Sequence, residues 1–548
     1  MRNFIQNGKL FVLAAGAAIL ATGCQTYTQQ TKVANTNWQQ GNSTETANRF
    51  TEKAEKAKNG KDAVILRLEQ GAALRANGQY RESIAAFNAA EEKINEYDER
   101  AKHSVSGETG ALLSNQANLS YKGRDYDKVM LNAYKALNYL QVGEPDKARV
   151  EFFRASQRQD DAEENNKQRI EKAEKEFENL KDSKEKGAAS AKEMADKANA
   201  DPQFKQKVAT QYGYLDEFKA KANYVNPFVY YINGLYFLAA NKGPSDLSRS
   251  RDAFRFTLGS IGENKFIKQD LEMVDQVSQG AAIPQTTYVI FETGCAPKRE
   301  QIRIPIPLFL AGVRDVPYVG ASFPTLKKQG GQLPSLNIAA SGSSETTVLL
   351  ASMDSAVGQD FKNELPAIIT KTIVSAGIKA AVSYGVNKAM EKQDIWVKLA
   401  IKIAMTIAQL AVDIADTRTW NTLPKEFQFC RIPTPPDRKI ELSGPGGTMK
   451  TEVTVSEDAI NLIYVKSINA NNPLLVTQIR FNVSPSPSTT PTTPVTVSPA
   501  QGVESGSPVI SEVKDSRPSK LTTVPAPVFQ GLPVIEPPGS QDITKQKL

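Results

Sequence analysis

The chain contains one histidine, His103, and three cysteines, Cys24, Cys295 and Cys430, in 548 residues. A single histidine removes most nucleophile–imidazole pairs and most imidazole-based metal schemes. Three cysteines with no Cys-x-x-Cys pair leave a zinc site short of ligands. A phosphate-binding Gly-Lys-Ser/Thr loop is also missing; SGPGGT at 443–448 reads as a turn. No metal or other cofactor is expected. Strong charge of one sign is absent too: 67 Lys and Arg stand against 60 Asp and Glu, and +7 over this length is too dilute to point to nucleic acid. Hydrophobic residues make up 40%, a little under the usual globular share, so part of the chain is expected to be all surface or unfolded.

What is present starts at the first residue. In MRNFIQNGKLFVLAAGAAILATGC, Arg2 and Lys9 precede an apolar stretch from Leu10 to Ala21, and Gly23 precedes Cys24. This is the build of a secretory signal peptide, residues 1–23. It is shorter than the roughly 18–20 residues that span a bilayer. The cysteine directly after Ala-Thr-Gly resembles the lipobox of bacterial lipoproteins, with Ala21 where leucine is commonest. That resemblance implies cleavage before Cys24 and a diacylglycerol on its thiol. Gln25 stands where aspartate would retain an enteric lipoprotein in the inner membrane, so the resemblance implies an outer-membrane protein facing the periplasm. Two or three acyl chains anchor stably where one binds only marginally. In that oxidising compartment Cys295 and Cys430 form an even pair; a disulfide and two buried free thiols are both open.

Residues 24–60 are polar and read as a tether that becomes helical towards Lys58. Residues 61–282 show helical spacing throughout. KDAVILRLEQGAALRANGQYRESIAAFNAAEEKI resembles a tetratricopeptide unit: Gly71 is the small residue of the first helix, Gly78 and Tyr80 mark the turn, and Phe87 and Ala90 fill the second helix, with Ser83 in place of alanine. A second unit, 132–156, has Ala136, Tyr139, Gly143, Ala148, Phe152 and Ala155 at matching places, and Pro145 opens its second helix. A looser third unit, 226–258, has Gly234, Ala253 and Phe254. Between the last two, residues 158–222 are rich in Lys, Glu, Gln and Ala, which predicts a long solvated helical arm.

From Ile283 the period changes to short strands broken by Gly and Pro: TTYVIFETG, QIRIPIPLFL, VPYVGASFP, LPSLNIAAS and TTVLLAS. Two apolar helices, 355–390 and 393–418, follow. On the second, Lys398, Lys402, Thr406, Gln409 and Asp413 form one narrow polar stripe, which favours a helix packed in a soluble domain over a membrane span. Strands resume with PKEFQFCRIPTP and run to VTQIRFNV, making 283–482 an α+β domain. Residues 483–548, dominated by Ser, Thr and Pro, read as a disordered tail.

No catalytic constellation emerges. Ser-x-x-Lys occurs at Ser183–Lys186 and Ser511–Lys514, in the charged arm and the tail, with no pocket implied. YKGRDYDKVMLNAYKALNYL (121–140), NPFVYYINGLYF (226–237), YVIFETG (288–294), DFKNELPAI (360–368) and ADTRTWNTLPKEFQFCRIP (415–433) together resemble a family of bacterial outer-membrane lipoproteins with tetratricopeptide-like helices and a shared C-terminal domain. The family supplies no established activity; the resemblance implies an accessory role in envelope assembly or secretion. Trp420 and Pro424 are expected to anchor a helix-to-strand corner, with Arg418 paired to Asp413 or Asp416. The function expected is a membrane-anchored scaffold for an envelope protein, with Tyr80, Tyr134, Tyr139 and Phe228 near a groove. The alternatives are a cell-wall or lipid-acting enzyme sited in the α+β domain and a pore component using 355–418.

Overall fold

A computed structural model describes residues 26–103, 116–179, 188–218, 226–307, 318–390, 414–481 and 495–496. Cys24, residues 391–413 of the apolar segment, both Ser-x-x-Lys pairs and nearly all of the Ser/Thr/Pro tail lie outside them. The chain is mainly α in its N-terminal half and α+β beyond it.

The polar segment after Cys24 is not a tether. It folds as α1 (Tyr27–Gln30), α2 (Lys32–Gln39) and α3 (Ser43–Lys56). Its average polarity hides a sparse stripe. Ala34 and Trp38 are four apart, Ala47, Phe50 and Ala54 three and four apart, and all five are buried. Periodicity rather than mean hydropathy decides which face packs.

Three helical hairpins follow where the spacing predicts them. They are α4 (Ala63–Ala76) with α5 (Tyr80–His103), α6 (Asp125–Gln141) with α7 (Pro145–Glu178), and, after α8 (Ala188–Ala200) and α9 (Pro202–Tyr212), α10 (Pro227–Ala239) with α11 (Pro244–Ile261). Close approach in the first and third depends on glycine. A Cβ on Gly71 would lie 2.5 Å from the Phe87 ring, and one on Gly234 2.9 Å from the Phe254 ring. The same polar bond recurs beside each glycine: Ser83 Oγ donates to the Gly71 carbonyl at 2.6 Å, and Ser250 Oγ to the Gly234 carbonyl at 2.8 Å. Ser83 Oγ also accepts from Asn138 Nδ2 of the second hairpin at 2.8 Å, joining the two. Amphipathic α12 (Lys265–Ser278) closes the series.

The expected solvated arm is also corrected. Helix α7 is long, as its i,i+4 charges suggest, but α8 packs on α13 (Met353–Met390), and Phe204, Tyr212, Leu215 and Phe218 are buried. The Tyr212 hydroxyl donates to the Pro324 carbonyl at 2.8 Å. A few large apolar side chains suffice to fold the charged stretch back onto the body.

The strands are β1 (Thr286–Thr293), β2 (Lys298–Pro307), β3 (Tyr318–Lys327), β4 (Asn337–Ala340), β5 (Ser343–Thr346), β6 (Val348–Ser352), β7 (Glu426–Pro433), β8 (Lys439–Ser443), β9 (Thr451–Thr454), β10 (Ile460–Ser467), β11 (Leu475–Ile479) and β12 (Val495–Thr496). They form a six-stranded sheet ordered β12-β11-β10-β1-β7-β6, a four-stranded sheet β5-β4-β8-β9, and the ribbon β2-β3. Proline-rich β2 has one partner strand, as edge placement requires. Central β1 is parallel to β10 and antiparallel to β7. Every residue of β1 and β10 is buried, because both faces are covered. Tyr288 and Glu292 point to the helices. On the other face the Thr293 hydroxyl donates to the Leu333 carbonyl. No helix of the described residues is long and apolar enough to cross a membrane.

Two glycine substitutions should separate close packing from helix propensity. Gly71→Ala should lower stability by about 1–3 kcal/mol through overpacking against Phe87. Gly259→Ala, where a Cβ meets nothing within 4 Å, should raise it by about 0.5–1 kcal/mol. Urea midpoints moving in opposite directions check both.

Candidate functional site

The aromatic side chains expected near a groove are brought together, but the chain's own sheet occupies the place. Phe228 stacks on Phe427 of β7, 3.9 Å between ring centres and 6° from parallel. The Tyr134 hydroxyl donates to Glu292 of β1 at 2.7 Å, and the Tyr80 hydroxyl lies 3.4 Å from Thr477 of β11. Tyr80, Tyr134 and Phe228 are buried and Tyr139 is partly so. The four residues do not share an open groove: their apolar bodies are largely covered from within the molecule, and Tyr80 and Tyr134 border only a small cleft.

The register explains how the sheet presents a polar row to the helices. Glu292 faces Phe427 on one neighbouring strand and Lys466 on the other. Tyr464, two residues before Lys466, shares that face. Glu292 Oε1 accepts from Tyr134 at 2.7 Å and Tyr464 at 2.5 Å, and Oε2 accepts from Lys466 Nζ at 2.5 Å. Arg75 of α4 sits over both tyrosine rings, 5.2 and 4.9 Å from their centres. Burial works against the Glu292 charge, but Lys466 and Arg75 outweigh it and hold its carboxyl below the usual range. Burial, and then Glu292, push both tyrosines well above theirs. A cleft of about 30 Å³ opens here, lined also by Ala72, Leu475 and Thr477. It has room for about a water molecule. Its tyrosines stay protonated and its carboxylate accepts from three donors.

Two further carboxylates join helices to the C-terminal region. Asp270 of α12 accepts from Tyr288 at 2.7 Å, Arg431 at 2.8 Å and Tyr231 at 2.9 Å. Burial still pushes its carboxyl up to about 6. Glu69 of α4 accepts from the Asn421 backbone at 2.7 Å, the Thr422 backbone at 3.0 Å and the Tyr27 hydroxyl at 3.2 Å. Burial pushes it up to about 7, opposed by the bonds from Thr422 and Asn421.

The corner containing Arg418, Trp420 and Pro424 is an anchor, reaching further than expected. Arg418 Nε and Nη2 clasp Asp416, both at 2.8 Å, while Nη1 donates to the Leu119 carbonyl at 2.6 Å and reaches Asp62 at 3.3 Å. Asp413 lies outside the described residues, and Asp416 is the partner. Trp420 is fully buried between Phe87 and Tyr134, 5.9 and 6.0 Å away, and Pro424 is buried too. This loop plugs the first hairpin.

Cys295 and Cys430 are both free and buried, so the open question of a bridge resolves against one. Thr293 pairs with Glu426, four residues before Cys430 on β7, and Cys295 lies beyond Thr293. That spacing is on the order of 13 Å or more, past disulfide reach. Burial pushes the Cys295 thiol up to about 11 and Cys430 higher. Among the described residues no cluster of His, Cys, Asp or Glu could hold a metal ion.

Sequence reasoning missed Glu69, Asp270, Glu292 and the α13 pair Asp360 and Glu364, which meet Arg124, Arg169 and Arg299. The available signal was a lone acid inside an apolar run, as in VILRLEQGAAL and YVIFETG. Comparison of the chain with protein-family models, curated proteins and solved structures finds no match.

Arg418→Ala should cost about 3–5 kcal/mol in chemical unfolding, since it strands Asp416 and Asp62. Glu69 sets a pH dependence. Its folded carboxyl is raised above 4.5, so the native state binds the extra proton between pH 4.5 and about 7. Its contribution therefore falls as pH rises through that window, by up to roughly 3 kcal/mol, and is lowest above it. Glu69→Gln should lose that slope: its deficit relative to wild type should shrink from pH 5 to pH 8 in parallel denaturation series.

Proposed function

We propose that the chain is a lipoprotein of the outer membrane, anchored through Cys24, facing the periplasm and serving as an interaction scaffold in envelope assembly or secretion. The observation that carries this is the leader of residues 1–23 ending at Cys24, one residue before a body built of stacked helical hairpins. The repeated Ser–Gly bond and glycine–phenylalanine contact in the first and third hairpins support a tetratricopeptide-like reading of that body. The stretches that resemble the lipoprotein family converge on the seam between helices and sheet, which supports a shared fold.

The scaffold would work through its outer surface, since the inner face of the hairpins is filled. Val150 and Phe256 are large apolar side chains left 48% and 56% exposed on the second and third hairpins. The enzyme and pore alternatives gain no specific observation: the Glu292 cleft spends its groups on each other.

The mature protein should carry acyl chains on Cys24 by intact mass, and Cys24→Ala should move it from the membrane to the soluble fraction. A photocrosslinking residue at Val150 or Phe256, in living cells, should give one discrete envelope partner. Correctly acylated protein that yields none would sink the scaffold reading.

A further inference from the structure

We propose that the protein's body lies directly against the membrane, with the face around Thr26 apposed to lipid headgroups. This rests on acylation of Cys24 and adds an orientation to it. Only Gln25 separates Cys24 from Thr26. Two Cα steps reach at most about 7 Å. The headgroup layer of one leaflet is itself about 5–7 Å thick. A lipid-bearing residue at its inner boundary therefore leaves almost no distance for the body to stand away.

Thr26 belongs to the body: two bonds close the first turn and three more tie it to the rest of the molecule. Thr26 and Gln29 make a reciprocal cap: Gln29 N donates to Thr26 Oγ1 at 3.2 Å, and Thr26 N to Gln29 Oε1 at 2.9 Å. The Tyr27 side chain is buried, and its hydroxyl reaches Glu69 of the first hairpin. Thr28 Oγ1 donates to the Arg299 carbonyl of β2 at 2.8 Å, and Thr28 N to Thr417 Oγ1 at 3.2 Å. The first folded turn is thus tied at once to the helices, to the ribbon and to the Arg418 corner. Peeling it away would expose Tyr27 and remove a donor from buried Glu69, which costs free energy that a slack leash would not recover.

The surface there suits a headgroup layer. Thr26, Gln30, Lys61, Ile414 and Arg418 line a small cleft. Asp62 and Asp416 within it are already paired with Arg418, and Lys61 donates to the Asn118 side-chain oxygen at 3.0 Å. Exposed Lys32 and Lys122 flank the region in sequence, and Val33 next to Lys32 is 55% exposed. Lysines meet headgroup phosphates, and an exposed valine beside one can enter the interface.

The test uses the full-length, acylated protein, its mass confirmed, in phosphatidylethanolamine/phosphatidylglycerol vesicles carrying a headgroup quencher. A fluorophore is placed by Asn118→Cys, beside Lys61, or by Arg255→Cys, on the exposed side of the third hairpin; buried Cys295 and Cys430 stay unlabelled. The expected result is loss of most fluorescence at 118 and little loss at 255. A glycine–serine spacer of about ten residues after Gln25, adding roughly 17 Å of mean reach, should abolish the difference. Equal quenching at both positions without the spacer would overturn the proposal while leaving the anchor intact. A mature mass without acyl chains would overturn the anchor itself, and is read before any quenching is measured.

Discussion

Glu69, Asp270 and Glu292 lie between the helical layer and the strands and loops of the C-terminal region, each accepting from at least three donors. Asp360 and Glu364 do the same against three arginines lower in the seam. Leaving one such charge unpaired costs several kcal/mol, a large fraction of what holds an ordinary domain together. The helices therefore cannot leave the sheet without stranding charges on both sides. The change of pattern near residue 283 is a boundary in composition, not a place where the molecule divides. Phe228 on Phe427 and Trp420 between Phe87 and Tyr134 supply the apolar part of the same seam.

That seam changes where an interaction surface can be. In a free stack of helical hairpins the inner face is the natural place for a ligand segment. Here a sheet strand, a plug loop and a row of ion pairs already occupy it. What is left for other molecules is the outer side of the hairpins and the face around Thr26. Both follow from one packing decision: the chain uses its best binding face on itself.

The stretches singled out in the sequence supply several of the buried polar networks. Tyr121, Arg124 and Asp127 of the first stretch, Tyr231 of the second, Tyr288 and Glu292 of the third, Asp360 and Glu364 of the fourth and Arg418 and Trp420 of the fifth all serve buried bonds or ring contacts. Most of these bonds and contacts join residues far apart in the chain. The hairpins were legible because the close contacts of Gly71 with Phe87 and of Gly234 with Phe254 lie within one hairpin each. The strands were legible from alternation and from the Gly and Pro that end them. The fold of residues 26–56 was not, because few apolar residues among many polar ones leave only a weak period.

The sequence by itself determined the three helical hairpins and the position of their turns, the change to strands near residue 283 and the importance of the Arg418–Trp420 corner. These depend on neighbours within a few turns or residues. Only the tertiary structure decided that Cys295 and Cys430 stay apart, that the aromatic face is covered, that the charged arm folds back and that Thr26 is locked to the body. Each of those is a pairing between residues separated by tens to hundreds of positions. Periodicity shows which face of an element must be buried but not what will bury it.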